Sequence, residues 1–161
     1  MLTKKTCFSY EVREACAEDW KPAMNMVWRT FLKFEGRDYT PVGIRNFWEF
    51  ITDADLYDSF LEGKYRAWVA ADGDKIIGFA SLRNVNRLSL LFVDEKYHKR
   101  GVGRAVIQCL CTYLQQETGV CEMTVKAAPY ALGFYEKLDF QALGPEEHYC
   151  GIRVTAMKKS F

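Results

Sequence analysis

The stretch LSLLFVDEKYHKRGVGRAV, residues 88–106, decides how the rest of the chain is read. Residues 88–93 are apolar apart from Ser89 and form a strand that should be central and buried on both faces. A polar loop, residues 94–100, follows, and Gly101-Val102-Gly103 then opens a helical pattern whose inner face carries Val102, Ala105, Val106, Leu110 and Leu114. The first four amides of a helix have no partner inside it, and the helix dipole adds partial positive charge there. Glycines keep side chains away from that backbone, and Lys99, Arg100 and Arg104 add three cations. Such a turn is built to receive a phosphate or pyrophosphate.

Elements on either side give the frame. Upstream, residues 8–15 read as a strand, and a helix carries Met24, Val27, Trp28, Phe31 and Leu32 at helical spacing. Residues 35–38 break it, and Thr40-Pro41 caps a second helix that runs to about residue 51, followed by a short third over 54–61. Strands over 65–71 and 75–82 flank Asp72-Gly73-Asp74, an Asp-Gly hairpin turn in which both central residues should have positive φ. Downstream come a helix over 101–118 closed by Gly119, a strand over 121–126, a proline-opened helix over 129–138, and strands over 140–143 and 151–157. The pattern predicts one α/β (α+β) domain over 1–161, with a mixed sheet and helices packed on it.

Composition narrows the function. A net charge of +1 offers no basic field for a general nucleic-acid or membrane-surface partner, and neither is expected. No apolar run approaches the roughly 18 residues of a membrane span, and the cytoplasm is the expected location. The six cysteines form no Cys-x-x-Cys pair, so they read as reduced structural thiols, Cys121 as a buried one, and no metal is expected. A Walker loop would need Lys-Ser/Thr after Gly103, where Arg104-Ala105 stands. A dinucleotide fingerprint would need a third glycine where Val106 stands, and no seven-residue loop before the first.

The segment resembles the acetyl-CoA site of the GCN5-related N-acetyltransferases (GNAT), whose signature is Gln/Arg-x-x-Gly-x-Gly/Ala after a strand ending in Val-Asp or Val-His. Here it reads His98-Lys99-Arg100-Gly101-Val102-Gly103 after Val93-Asp94. PYALGFYEKLDF, residues 129–140, is similar to that family's Phe-Tyr-Glu-Lys-Leu-Gly-Phe segment with Asp139 in place of glycine, and GIRVTAMKK, residues 151–159, to its closing strand. The resemblance implies a mostly antiparallel sheet of six or seven strands with helices on both faces. It implies that the backbone of Leu91, Phe92 and Val93 pairs with the pantetheine arm of acetyl-CoA. His98, Lys99, Arg100, Gly101, Val102, Gly103 and Arg104 would then receive the pyrophosphate. Tyr135 would be the general acid, and the Leu91 N–H an oxyanion donor.

The implied reaction is acetyl transfer to a primary amine on a small molecule or peptide, with a homodimer compatible with the fold. The family's usual carboxylate near the middle of the strand over 121–126 is not evident, since Glu122 is misplaced for it, and Ala128 stands where relatives carry asparagine. The alternative to an enzyme is therefore a silent acyl-CoA sensor. Residues 35–39 form the expected acceptor loop, whose carboxylates could hold an ammonium, while Trp28, Phe31, Phe34, Phe47 and Trp48 read as core.

Overall fold

The computed structural model describes residues 9–149 and 151–161. The elements in chain order are β1 (Glu11–Glu14), α1 (Ala17–Phe34), α2 (Pro41–Thr52), α3 (Ala54–Leu61), β2 (Arg66–Asp72), β3 (Lys75–Arg83) and β4 (Arg87–Val93). They continue with α4 (Val102–Tyr113), β5 (Glu122–Ala127), α5 (Leu132–Lys137), β6 (Gln141–Ala142), β7 (Glu147–Tyr149) and β8 (Ile152–Ser160). The strands form one sheet in the order β1-β2-β3-β4-β5-β8-β6, with β7 paired to β8. Among the described residues, only the β4–β5 pair is parallel. β7 is an eighth strand that the sequence pattern did not reveal, and the expected first strand is shorter than read, with Phe8 outside the described residues.

Two apolar clusters lie on opposite faces of the sheet. One packs Val106, Ile107, Leu110 and Leu114 of the long helical segment, with Tyr135 and Leu138, against Ile77, Ala80, Leu82 and Leu88. The other packs Met26, Val27 and Phe31 of α1 with Ile51 and Leu56 against Val69, Phe79, Leu90 and Phe92. Each fully buried side chain of this kind contributes about 1.5–3 kcal/mol, so the helices are held to their faces by burial rather than by propensity.

The central strand does not follow a regular register. Ser81 pairs with Leu90 while Leu82 pairs with Leu88, so Ser89 is an extra residue, a β-bulge. One inserted residue exchanges the two faces of everything after it. Leu88 therefore faces the α4 cluster, while Leu90 and Phe92 face the α1 cluster. The bulge is pinned by Tyr65, whose hydroxyl lies 2.6 Å from Ser81 Oγ and donates to Ser89 Oγ at 3.0 Å. Before the bulge, β4 pairs with β5 at Arg87–Thr124 and Leu88–Val125. Beyond those pairs the two strands part. Leu91 and Val93 are therefore half-buried, not buried on both faces as their apolar run suggested.

The hairpin between β2 and β3 also differs from expectation. Gly73 has φ +59°, but Asp74 does not lie at positive φ, so the two-residue turn is Gly-Asp with glycine first rather than Asp-Gly. The Thr40 cap does form, its hydroxyl accepting from the Gly43 N–H at 3.1 Å.

The entry to α1 is held by a charge pair. Asp19 is buried, accepts from Arg13 at 2.7 and 3.1 Å, and accepts from the Cys16 N–H at 2.8 Å. The Arg13 guanidinium holds the Asp19 carboxyl down at about 2. A carboxyl depressed on folding stabilises the fold above its ordinary value of 3.8, and that stabilisation disappears as pH falls through about 2. Asp19→Asn is expected to lower the unfolding free energy by about 2 kcal/mol at pH 7, read from urea denaturation. The difference from wild type should close between pH 4 and pH 2; a difference that stays constant over that range would rule out the charge pair as its source.

Candidate functional site

The parting of β4 from β5 opens a cleft of about 560 Å³. Its floor is Leu91, Phe92 and Val93; its mouth is Tyr97, His98, Lys99, Gly101, Val102, Gly103 and Arg104; its far walls come from the end of α1 and from residues 130–138. Of the residues named from the sequence for the cofactor and the proton donor, only Arg100 does not line it. The Arg100 guanidinium lies over the Tyr97 ring instead, 5.7 Å from its centroid.

Backbone alternation determines which groups of β4 face the cleft. The Asp94 N–H donates to the Ile77 carbonyl at 2.8 Å. In an antiparallel ladder the hydrogen-bonding direction alternates, so Phe92 likewise turns its backbone to β3, while Leu91 and Val93 turn theirs to the gap. Phe92 thus contributes its position in the strand but no free amide. The Val93 carbonyl is already met by His98, whose Nε2 lies 2.6 Å away, and the His98 ring packs 4.9 Å from Phe34. His98 is thereby a positioned loop residue.

Gly101 is the N-cap of α4 at φ +81°, a left-handed conformation that glycine adopts without strain. The amides of Val102, Gly103 and Arg104 are left without helical partners beside the cleft mouth. At Gly103 a Cβ atom would sit 2.9 Å from the Phe134 ring, so a side chain there would have to push that ring aside. With Lys99, Arg104 and, unexpected from the sequence, Lys137 on the same walls, the mouth suits a polyanion.

Tyr135 is buried, packed edge-on against Phe134 and Phe140, and lines the same cleft. Burial, and to a lesser degree Glu35, pushes its hydroxyl well above the usual range, so it stays protonated at any physiological pH. Tyr130, the competing tyrosine, is exposed at the rim with its ring 5.3 Å from Phe34. Phe34, read from the sequence as core, is half-buried and lines the cleft. Asp139 has φ +68° just after α5, which explains why a glycine suits that position and why aspartate, a tolerated left-handed residue, can replace it.

The acceptor loop divides its two carboxylates. Asp38 accepts from Arg153 at 3.0 Å, beside a second, polar pocket that also takes in Arg37 and His148. Glu35 instead lines the main cleft. Glu122 is excluded from that cleft and ion-paired to Lys158 at 3.5 Å. Cys121 is exposed rather than buried, because β5 begins one residue later. Among the described residues no group of His, Cys, Asp and Glu could hold a metal ion, and no helix is long and apolar enough to cross a membrane.

Known proteins share this fold. Over 95% of the chain, the structure superposes with a TM-score of 0.80 on 96% of a GCN5-related N-acetyltransferase from Rhodopseudomonas palustris, also described as an aminotransferase, class II, at 23% identity. It superposes with a TM-score of 0.78 on the PaiA N-acetyltransferase of Thermoplasma acidophilum in complex with coenzyme A, at 16% identity, covering 95% of this chain and 99% of that one. An uncharacterized N-acetyltransferase of Escherichia coli K12, YafP, is 33% identical over 87 residues, which are 54% of this chain and 53% of that protein. The matched stretch thus spans about half the length of that curated relative. Residues 35–161, which include the whole cleft apart from Thr30 and Phe34, match the acetyltransferase (GNAT) domain family. With its sheet parted between β4 and β5 and a glycine turn at the mouth of the gap, the chain belongs to the GNAT acetyltransferase family.

Proposed function

We propose that the chain transfers an acetyl group from acetyl-CoA to a primary amine within a ternary complex. The observation that carries this reading is that one cleft joins three features. These are β4 backbone unpaired by β5 at Leu91 and at the Val93 N–H, an anion-receiving helix start at residues 101–104, and the buried Tyr135. A coenzyme A molecule fits them in order. Its pyrophosphate meets the amides of Val102, Gly103 and Arg104 and the Lys99 and Arg104 side chains. Its pantetheine amides extend the sheet along Leu91 and Val93. Its thioester then lies toward Tyr135.

Bound acetyl-CoA supplies an activated acyl group. The protein's residues orient it and manage protons. The Leu91 N–H faces the gap and can stabilise negative charge developing on the carbonyl oxygen. The Tyr135 hydroxyl, held neutral by burial, donates its proton to the departing sulfur.

Two measurements test this. In calorimetric titration acetyl-CoA should bind the wild type saturably while NADH does not. Gly103→Val, which drives a side chain toward Phe134 and over the amides, should weaken acetyl-CoA binding at least about tenfold. No saturable binding to the wild type would end the proposal. Tyr135→Phe should keep acetyl-CoA affinity within about twofold and lower kcat by about 10² or more. An unchanged kcat in that variant would assign the proton donor elsewhere.

A further inference from the structure

The structure identifies a carboxylate on the acceptor side of the cleft that no family motif supplies: we propose that Glu35 is the general base, receiving the proton of the acceptor's ammonium group. This rests on the acetyl-transfer reading above and adds to it the group whose usual positions are vacant in this sequence.

Glu35 ends α1, its own N–H donating to the Phe31 carbonyl at 2.9 Å. Among the described residues its carboxylate makes no salt bridge and no hydrogen bond, although it lines a cleft walled by Phe34, Phe92, Tyr130 and Tyr135. The neighbouring carboxylate, Asp38, is by contrast taken up by Arg153. The end of α1 is fastened in place. Arg29 pairs with the buried Asp94 at 3.0 Å, Lys33 with Glu95 at 2.5 Å, and Phe34 packs against both His98 and Tyr130. The loop after β4 and the end of α1 are thus tied together across the cleft, with Glu35 opposite the gap-facing backbone.

Burial, reinforced by Asp38, pushes the Glu35 carboxyl up to about 7. A base of that strength is ionised for part of the protein at neutral pH and basic enough to accept a proton. The groups in electrostatic contact with it are Asp38 and Tyr39 from its own turn and Tyr135 from α5; His98 and Lys99 from the loop after β4, Arg104 from α4, and Tyr130 and Lys137 line the same cleft.

The proton balance closes. Glu35 takes one proton from the ammonium. The freed nitrogen lone pair forms the C–N bond, and the C–S bond breaks with its electron pair leaving on sulfur. Tyr135 protonates the sulfur and recovers a proton from the acylated nitrogen. The products are the amide, free thiol and one proton released from Glu35. The class of acceptor that fits is an amine that arrives charged, because an unpaired carboxylate in an apolar wall favours a cation.

The experiment compares wild type and Glu35→Gln with two amines, propylamine and trifluoroethylamine, at pH 7.5, following free coenzyme A by chromatography. Propylamine is almost wholly protonated at that pH and needs a base; trifluoroethylamine is almost wholly neutral and does not. Glu35→Gln should lower kcat/KM for propylamine about 10²-fold or more and for trifluoroethylamine less than about threefold. It should leave acetyl-CoA affinity unchanged by calorimetry. Equal losses for both amines, or none for either, would overturn the assignment. Independently of any acceptor, ¹³C-glutamate NMR with coenzyme A bound should show one carboxyl titrating near pH 7 in the wild type and none there in Glu35→Gln. If Glu35 titrates with ordinary carboxylates near about 4.3, the proposal fails even though acetyl-CoA binds. If the wild type binds no acetyl-CoA, the reading beneath it fails first.

Discussion

Ser89 is one residue too many for the β3–β4 ladder, and the site follows from how the sheet accommodates it. The extra residue sends Leu90 and Phe92 to the α1 face and leaves Leu91 and Val93 toward α4, so both cores gain anchors from one strand. It also redirects β4 away from β5 after two paired residues. Unpaired backbone inside a sheet is costly unless something else satisfies it. The opening cannot simply zip shut, because each arm is committed elsewhere. β4 is paired along β3, and β5 is paired over its length with β8. Tyr65, buried on the α1 side, bridges the serines on either strand of the irregularity and makes the distortion a defined geometry.

The gap then sorts its surroundings by polarity. Its mouth is the start of α4, where dipole and cations favour negative charge. Its other wall is the end of α1, where a helix dipole disfavours an anion. A carboxylate at that helix end, without a partner, lowers stability and would be removed by selection for stability alone. Its neighbour Asp38 shows the alternative, since Arg153 neutralises it beside the second pocket. The contrast between two carboxylates of one turn is what distinguishes Glu35 from an ordinary loop residue.

Much of this frame was legible before any coordinates. Gly101 and Gly103 mark the helix start because one requires left-handed backbone and the other leaves room for the Phe134 ring, and both show as residue identity. Tyr135 sits in a run whose spacing announces a short helix, and the resemblance assigned its role. What could not be read shares one physical cause: it depends on contacts distant in sequence. The bulge at Ser89 is invisible in LSLLFV, since alternation there is masked by a strand covered on both faces. Glu35 looks like a solvated residue between two helices, and only Tyr130 and Tyr135, roughly a hundred positions onward, make its surroundings apolar. Phe34 was misjudged for the same reason. Arg100, by contrast, was named from its charge and its place in the glycine motif, and neither says which way a side chain turns.

No carboxylate of β5 lines this cleft. The base must reach the incoming nitrogen, and nothing in that requirement names a strand. Glu122 cannot serve, because it pairs with Lys158 at the far end of β5. The V between β4 and β5, however, is open toward both layers of helices. A side chain from the α1 layer can reach the acyl carbon from the acceptor side while Tyr135 approaches from the α5 layer. In the proposed reaction, acid and base thus come from opposite faces of the sheet. Each keeps the protonation state its own surroundings impose, the phenol neutral and the carboxyl poised to gain a proton.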